Sequence, residues 1–400
     1  MDKLKILVVP ANDGGCAYYR AWAPFAKLAE QFPDHLEVRY DKNPLGFDPS
    51  ANSWIDGWDH ANMLWSDIIM TQNICNYGGP YTARIIGKAK EFGKFVHYDT
   101  DDLLTELYEG HRLKQVYEDK NLSEITKFIY SHSNLVTVTQ RKFADRVKEF
   151  CGGVLAVVKN AIDYDLPCWN QPKIPPRNKK VVRIGWAGGI HHEEDVKEFA
   201  GVPHMVNQRV GRENVEWHFF GKPPVNPDDP QTDDQWQLDV WDNYKNILLR
   251  GFRGHKNWFI HNALPSDDYG RLFTIIDIAI APLQMNAFND SKSEIKVAEC
   301  GRYKVPLIAS NVGCYDETIF NGKTGYLIDP KASKAEWTKV LTRVIKDKVL
   351  RRKMGENLND ITEEHFDLNK VAQHRLRLYR DCFELTGRTD LLEKLKPLEL

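Results

Sequence analysis

The chain has 400 residues, enough at about 150 residues per domain for two domains with buried cores. A composition of 42% hydrophobic and 28% charged residues excludes a disordered chain, and 54 basic against 56 acidic side chains exclude a general nucleic-acid coat. No apolar run approaches the roughly 20 residues of a membrane span and no signal peptide precedes the first apolar run, so a cytoplasmic protein is expected. The seven cysteines form no CxxC pair, which fits reduced thiols and argues against a zinc site.

In chain order, the apolar run Leu4 to Pro10 breaks at Asn12-Asp13-Gly14-Gly15 and resumes at helical spacing through Tyr18, Trp22, Phe25 and Leu28. That is strand, glycine loop, helix. Strand-like runs recur at 66–71, 94–98, 134–138 and 154–158, with helical segments at 81–92 and 123–131 between them. The proline- and charge-rich text from Leu166 to Lys180 reads as an interdomain linker. A second series opens with Val181 to Trp186 and Ala187-Gly188-Gly189, followed by strands at 215–220, 258–261, 275–281, 306–310 and 325–328. Strands alternating with helices predict parallel sheets covered on both faces. The stretch 223–242, with six aspartates and no Lys or Arg, reads as a solvated, loop-rich insertion. The tail from Trp337 is helical, and its basic run at Lys346, Lys348, Arg351, Arg352 and Lys353 reads as an exposed helix face.

Ligands of parallel sheets bind beyond the carboxyl ends of the strands, where the two glycine loops lie. Backbone N–H groups can approach a phosphate there, although each loop alone reads equally well as a tight turn. The most informative stretch is Asn289 to Ser310, NDSKSEIKVAECGRYKVPLIAS. Four residues apart, Lys292 and Lys296 are expected to share a helix side and converge on one anion, with Ser291 and Ser293 capping the helix. Spacing alone favours a plainer reading, a capped amphipathic helix with solvated lysines.

This stretch resembles the donor-binding motif of retaining GT-B glycosyltransferases, the large "group 1" family related to sucrose-phosphate and glycogen synthases. Glu299 stands at the second glutamate of the family's pair, and Cys300-Gly301 and Pro306 to Ser310 match the family's small-residue run and proline-led strand. Ser291 stands where the first glutamate is expected. The sequence Lys292-Ser293-Glu294-Ile295-Lys296 is similar to a bacterial and bacteriophage subgroup, which would place the protein in a host cytoplasm if viral. Further matches are Asp277 to Pro282, Asn311-Val312-Gly313, Asn321 to Leu327, Val158 to Asp163 and Leu350 to Asn357. Gly185 to Gly189 takes the place of the donor-phosphate loop, without the family's arginine.

The resemblance implies two Rossmann-like parallel-sheet α/β domains facing across a cleft. An acceptor domain is expected at 1–167, a linker at 168–178, a nucleotide-sugar donor domain at 179–370, and a last helix, 371–400, packing back on the first domain. It implies transfer of a hexosyl or pentosyl group from a UDP- or GDP-type sugar, with retention and without a required metal. Lys292 and Lys296 would stabilise the departing diphosphate. Gly188, Gly189, His191, Ser291, Ser293, Glu294 and Glu299 would bind the donor, with Glu299 on the ribose.

Gly14, Gly15, Tyr18, Arg20, Asp99, Asp101 and Asp102 are the acceptor candidates, and their aromatic and polar mixture suits a glycan or lipid-linked sugar. Asp99-Thr100-Asp101 also has the DxD form that holds a metal in the other glycosyltransferase fold, but its position in the first domain favours acceptor binding or helix capping. Trp22, Trp54, Trp58 and Trp65 are candidate sugar platforms or boundary residues. The alternatives are a phage-type transferase acting on a hydroxymethylated pyrimidine in duplex DNA, a nucleotide-sugar epimerase, and a non-catalytic sugar-nucleotide binder. For the DNA reading, Lys88, Lys90, Lys94, Arg141, Lys142, Arg146 and Lys148 would meet phosphates.

Overall fold

The computed structural model describes residues 2–75, 77–224, 235–252 and 256–398. The chain divides into two compact units, Met1–Asp163 with Ser291–Ser293 and His365–Leu400, and Tyr164–Asp290 with Glu294–Glu364.

In the first unit the strands are β1 (Leu4–Val9), β2 (Leu36–Tyr40), the two-residue pair β3 (Phe47–Asp48) and β4 (Ser53–Trp54), β5 (Ile68–Gln72), β6 (Phe95–Asp99), β7 (Leu135–Val138) and β8 (Val154–Val157). Six of them form a sheet in the order β2-β1-β5-β6-β7-β8, every pair parallel. Strands β5, β6 and β7 are buried at every residue, as central parallel strands covered on both faces must be. On one face Ile6, Val8 and Phe95 pack with Phe25 and Leu28 of the helix Ala23–Gln31. Ala372, Leu376, Tyr379 and Phe383 of the helix Leu368–Thr386 complete that layer. The edge strand β2 escapes the sequence reading because only Leu36 of its five residues is buried, leaving no apolar alternation.

The layer contains a buried polar chain. His97 Nδ1 lies 2.7 Å from Tyr379 Oη and its Nε2 lies 2.8 Å from Thr137 Oγ1. Burial lowers the imidazole from its ordinary 6.5 to about 3, so the ring stays neutral at pH 7. Between those values the unfolded chain binds a proton that the folded chain does not. The contribution is therefore complete above pH 6.5 and is lost as the pH falls toward 3. Urea unfolding at pH 7 and pH 4.5 is expected to show a smaller acid-induced loss of stability for His97→Gln than for the wild type; equal losses would contradict this.

In the second unit the strands are β9 (Val182–Ala187), β10 (Val215–Lys222), β11 (Trp258–Asn262), β12 (Ile278–Ala281), β13 (Leu307–Ser310) and β14 (Gly325–Ile328). They form a parallel sheet in the order β11-β10-β9-β12-β13-β14. Trp217 and Phe219 pack in its core with Phe199, Trp241, Trp337 and Leu341.

The structure corrects several expectations. The proline-rich start of the proposed linker is packed: Pro167–Trp169 forms a short 3₁₀ turn, Trp169 is buried beside Phe273, and its carbonyl accepts from Arg302 Nε at 3.2 Å. The run 275–281 is a strand only from Ile278, since Tyr269–Thr274 is 3₁₀-helical. Of the acidic insertion, residues 225–234 lie outside the described residues, while Gln235–Leu248 is a helix that buries Val240, Trp241, Tyr244 and Leu248. Arg351 in the basic run is not simply solvated, because its guanidinium donates to the carbonyls of Val344 and Ile345 at 2.8 and 2.9 Å. Among the described residues no helix is long and apolar enough to cross a membrane.

Candidate active site

An open parallel sheet forms a crevice where neighbouring strands send their connections to opposite sides. In the second sheet that point lies between β9 and β12. The loops after these two strands are tied together by Asp195, which is fully buried. Its carboxylate accepts from the Gln284 backbone N–H and Asn289 Nδ2, each at 2.8 Å, and its other oxygen lies 2.8 Å from His192 Nδ1. Tyr244 Oη accepts from the His192 N–H at 2.9 Å and donates to the Gly189 carbonyl at 3.3 Å. The loop is thus fixed by partners far away in sequence.

Its two glycines differ. Gly188 allows close packing, since a Cβ there would lie 2.5 Å from the Trp186 ring, and its N–H is already given to the Phe220 carbonyl at 3.2 Å. As a phosphate donor, Gly188 is therefore corrected. Gly189 faces open space, and its N–H has no partner among the described residues. His191 is exposed, whereas His192 is the histidine held in place.

The helix expected after Asn289 starts later than its spacing suggests, spanning Ile295–Arg302 with Glu294 at the N-cap. No side chain caps it; the Val297 N–H bonds to the Glu294 carbonyl at 2.8 Å, while the Ile295 and Lys296 N–H groups have no partner among the described residues and can meet an anion. The capping role expected of Ser291 and Ser293 is therefore corrected: Ser291 is fully buried and Ser293 Oγ accepts from Asn160 Nδ2 at 2.9 Å. Lys292 and Lys296 do not share a helix face either, because Lys292 precedes the helix. Lys296 Nζ lies 2.7 Å from Glu299 Oε2 and donates to Tyr269 Oη at 3.1 Å. Glu299 and Tyr269 hold that ammonium strongly in its charged form, against the effect of burial. Glu299 is only 2% exposed, and Glu294 is likewise buried, accepting from the Cys314 thiol.

In the first unit the candidate residues separate into two groups. Asp99 and Arg20 are fully buried, with Arg20 Nε and Nη2 donating to the two carboxylate oxygens at 2.7 and 2.8 Å. Arg375 Nη1 adds a third contact at 3.0 Å, and Arg20 Nη1 also reaches the Val158 carbonyl at 2.6 Å. The two guanidiniums hold the Asp99 carboxyl well below the carboxylate range despite burial. This correction removes Arg20 and Asp99 from the acceptor-facing set, because both side chains are fully buried and spend their charge on each other.

The second group lies at the carboxyl ends of β1 and β6. Gly14 N–H donates to Asn12 Oδ1 at 2.7 Å in a short turn; Gly14 and Gly15 are exposed, and Tyr18 is half-buried at the start of the π-helical turn Tyr18–Trp22. Asp101 accepts from Asn73 Nδ2 at 3.0 Å. Burial and the neighbouring Asp102 raise its carboxyl to about 6. One ligand atom each from Cys16, Asp101 and Asp102 lies within 4.8 Å of the others, a spacing suited to a cation. The Lys292 ammonium stands 3.6 Å from Asp102 Oδ1. Lys292 therefore supplies positive charge to an acidic cluster.

Sequence reasoning missed Tyr269, Asp195, Tyr244 and Arg375. None lies in a motif; each acts through a partner that only the fold brings near.

Residues 246–360 match the family described as glycosyl transferases group 1. No curated protein matches the chain in sequence. Among solved structures, sucrose-phosphate synthase from Thermosynechococcus elongatus aligns with a TM-score of 0.68 at 12% identity, covering 96% of this chain and 100% of that one. HepE from Anabaena in complex with UDP and glucose aligns with a TM-score of 0.61 at 13% identity, covering 94% and 99%. A glycosyltransferase from Rickettsia africae gives 0.57 at 16% identity, covering 96% and 99%. At such identities the likeness shows the fold, which is GT-B. The likeness to the group 1 glycosyltransferases is thus carried in sequence by residues 246–360, and the likeness in fold extends over 96% of the chain.

Proposed function

We propose that the enzyme moves a sugar from a UDP- or GDP-type donor to a hydroxyl of a glycan or lipid-linked acceptor, with retention at the anomeric carbon. The observation that carries this reading is the uncapped N-terminus of Ile295–Arg302 with the Lys296 ammonium held charged beside it. As the glycosidic bond breaks, negative charge builds on the leaving diphosphate, and fixed N–H groups and a cation stabilise it there. In this reading the Gly189 N–H adds a donor, His191 and Glu294 border the donor, and Glu299 both orients Lys296 and receives ribose hydroxyls. The acceptor meets Gly14, Gly15, Tyr18, Asp101 and Asp102 on the first unit. HepE, solved with UDP and glucose, makes UDP-glucose the first donor to try.

No metal is required in this proposal, because Lys292 already supplies positive charge at Asp102. A donor panel run in EDTA is expected to release nucleoside diphosphate when an acceptor is present. Epimerised donor, or binding without turnover, would contradict transfer. Loss in EDTA with rescue by Mn²⁺ would instead make Cys16, Asp101 and Asp102 metal ligands.

The duplex-DNA reading finds little support in the basic side chains offered for it. Lys94 Nζ donates to the carbonyls of Leu64 and Ser66, while Lys88, Arg146 and Lys148 pair with Glu91, Glu106 and Asp145. Cations already engaged this way make a weak phosphate track.

A further inference from the structure

Of the four tryptophans singled out as sugar platforms, two are engaged within the first unit. Trp22 stacks on Tyr40 and donates to the Asn12 carbonyl, and Trp65 lies under Arg39. Trp54 and Trp58 also have ring or hydrogen-bond partners, but they are the exposed pair. With Ile55 they form an exposed apolar stretch, at 37%, 38% and 43% exposure. Large apolar side chains clustered in the open on a folded unit mark a contact surface.

The stretch borders a pocket of about 440 Å³, within the range of small-ligand sites. Its walls are held. The Trp58 indole N–H donates to the Pro44 carbonyl at 3.0 Å, and the ring lies so close to Gly46 that a Cβ there would sit 2.3 Å from it. Trp54 stacks parallel to Tyr81, and the Arg84 guanidinium lies 4.1 Å from its ring centre. Gly87, within the helix Gly79–Glu91, lines the pocket, and a Cβ added there would meet nothing within 4 Å.

We infer that this pocket is a saccharide-binding site separate from the donor and acceptor residues above, and that it takes neutral, hydroxyl-rich sugar units. The lining joins two indoles to Asp56 and Arg84, neither of which has a hydrogen-bond or ion-pair partner among the described residues. Lys88 is paired with Glu91 at 2.7 Å. Two cations balanced by two carboxylates do not concentrate charge for a nucleotide or a polyanion. The unpaired polar groups also penalise a purely apolar ligand. A sugar ring satisfies both chemistries: its C–H face covers an indole, and its hydroxyls both donate and accept at its edge. The inference rests on this lining and does not depend on the donor-site reading.

The test is calorimetric titration of maltotriose, cellotriose and chitotriose into the full chain and into Gly87→Leu. Leucine is the better helix former and fills the open space, so the variant retains the fold while blocking the pocket. Saturable binding of at least one trisaccharide is expected, weakened at least about tenfold by Gly87→Leu, with donor turnover unchanged. If no trisaccharide binds, or if binding survives Gly87→Leu, the site is overturned. A failed donor assay with trisaccharide binding intact would remove the transfer reading and leave this one standing.

Discussion

A Lys296→Met variant is expected to lose about 100- to 1,000-fold in kcat, corresponding to about 2.7–4 kcal/mol of barrier, while donor affinity changes much less. The asymmetry follows from charge: the diphosphate carries more of it in the transition state than in the bound donor, and only interactions that strengthen on that path accelerate the step. Removing the ammonium also leaves Glu299 buried without its 2.7 Å partner, which adds a loss of stability to the loss of rate. The double variant Lys296→Met/Glu299→Gln separates the two effects. Lacking a buried charge, it should recover thermal stability and leave kcat low. Recovery of kcat along with stability would show that Lys296 is only a structural partner of Glu299.

The second large effect is on stability. Asp99→Ala is expected to destabilise the first unit by about 3–5 kcal/mol, because it leaves Arg20 and Arg375 buried and facing each other without their shared anion. Asp102→Asn serves as the control. Its carboxylate is 25% exposed and stands 3.6 Å from Lys292, so removing the charge should shift stability by no more than about 1 kcal/mol. Thermal melts read by near-UV circular dichroism compare the two, with the units allowed separate transitions. Equal, small shifts would mean that the Arg20–Asp99–Arg375 cluster contributes no more than a surface pair.

These two sites differ in how far the sequence reveals them. Both sheets were legible, because buried parallel strands write continuous apolar runs such as Leu4–Val9 and Leu307–Ser310 into the chain. The helix Ile295–Arg302 was legible in kind but not in register. Its start is set by the backbone at Glu294 rather than by the nearby serines, whose hydroxyls have other surroundings. Pairing the two lysines by their spacing failed for the same reason. The Asp99–Thr100–Asp101 triplet looked like one functional motif, yet β6 ends at Asp99, whose carboxylate is buried against Arg20, and the bend that follows leaves Asp101 beside Cys16. What decides Asp99 lies 79 residues before it and 276 after it, at Arg20 and Arg375, where no local pattern reaches.

A crystal structure with a bound nucleoside diphosphate tests the central claim most directly. The β-phosphate is expected within hydrogen-bonding distance of Lys296 Nζ and the first-turn N–H groups of Ile295–Arg302. A nucleotide bound with its diphosphate away from that helix, and with the Lys296–Glu299 pair untouched, would contradict it.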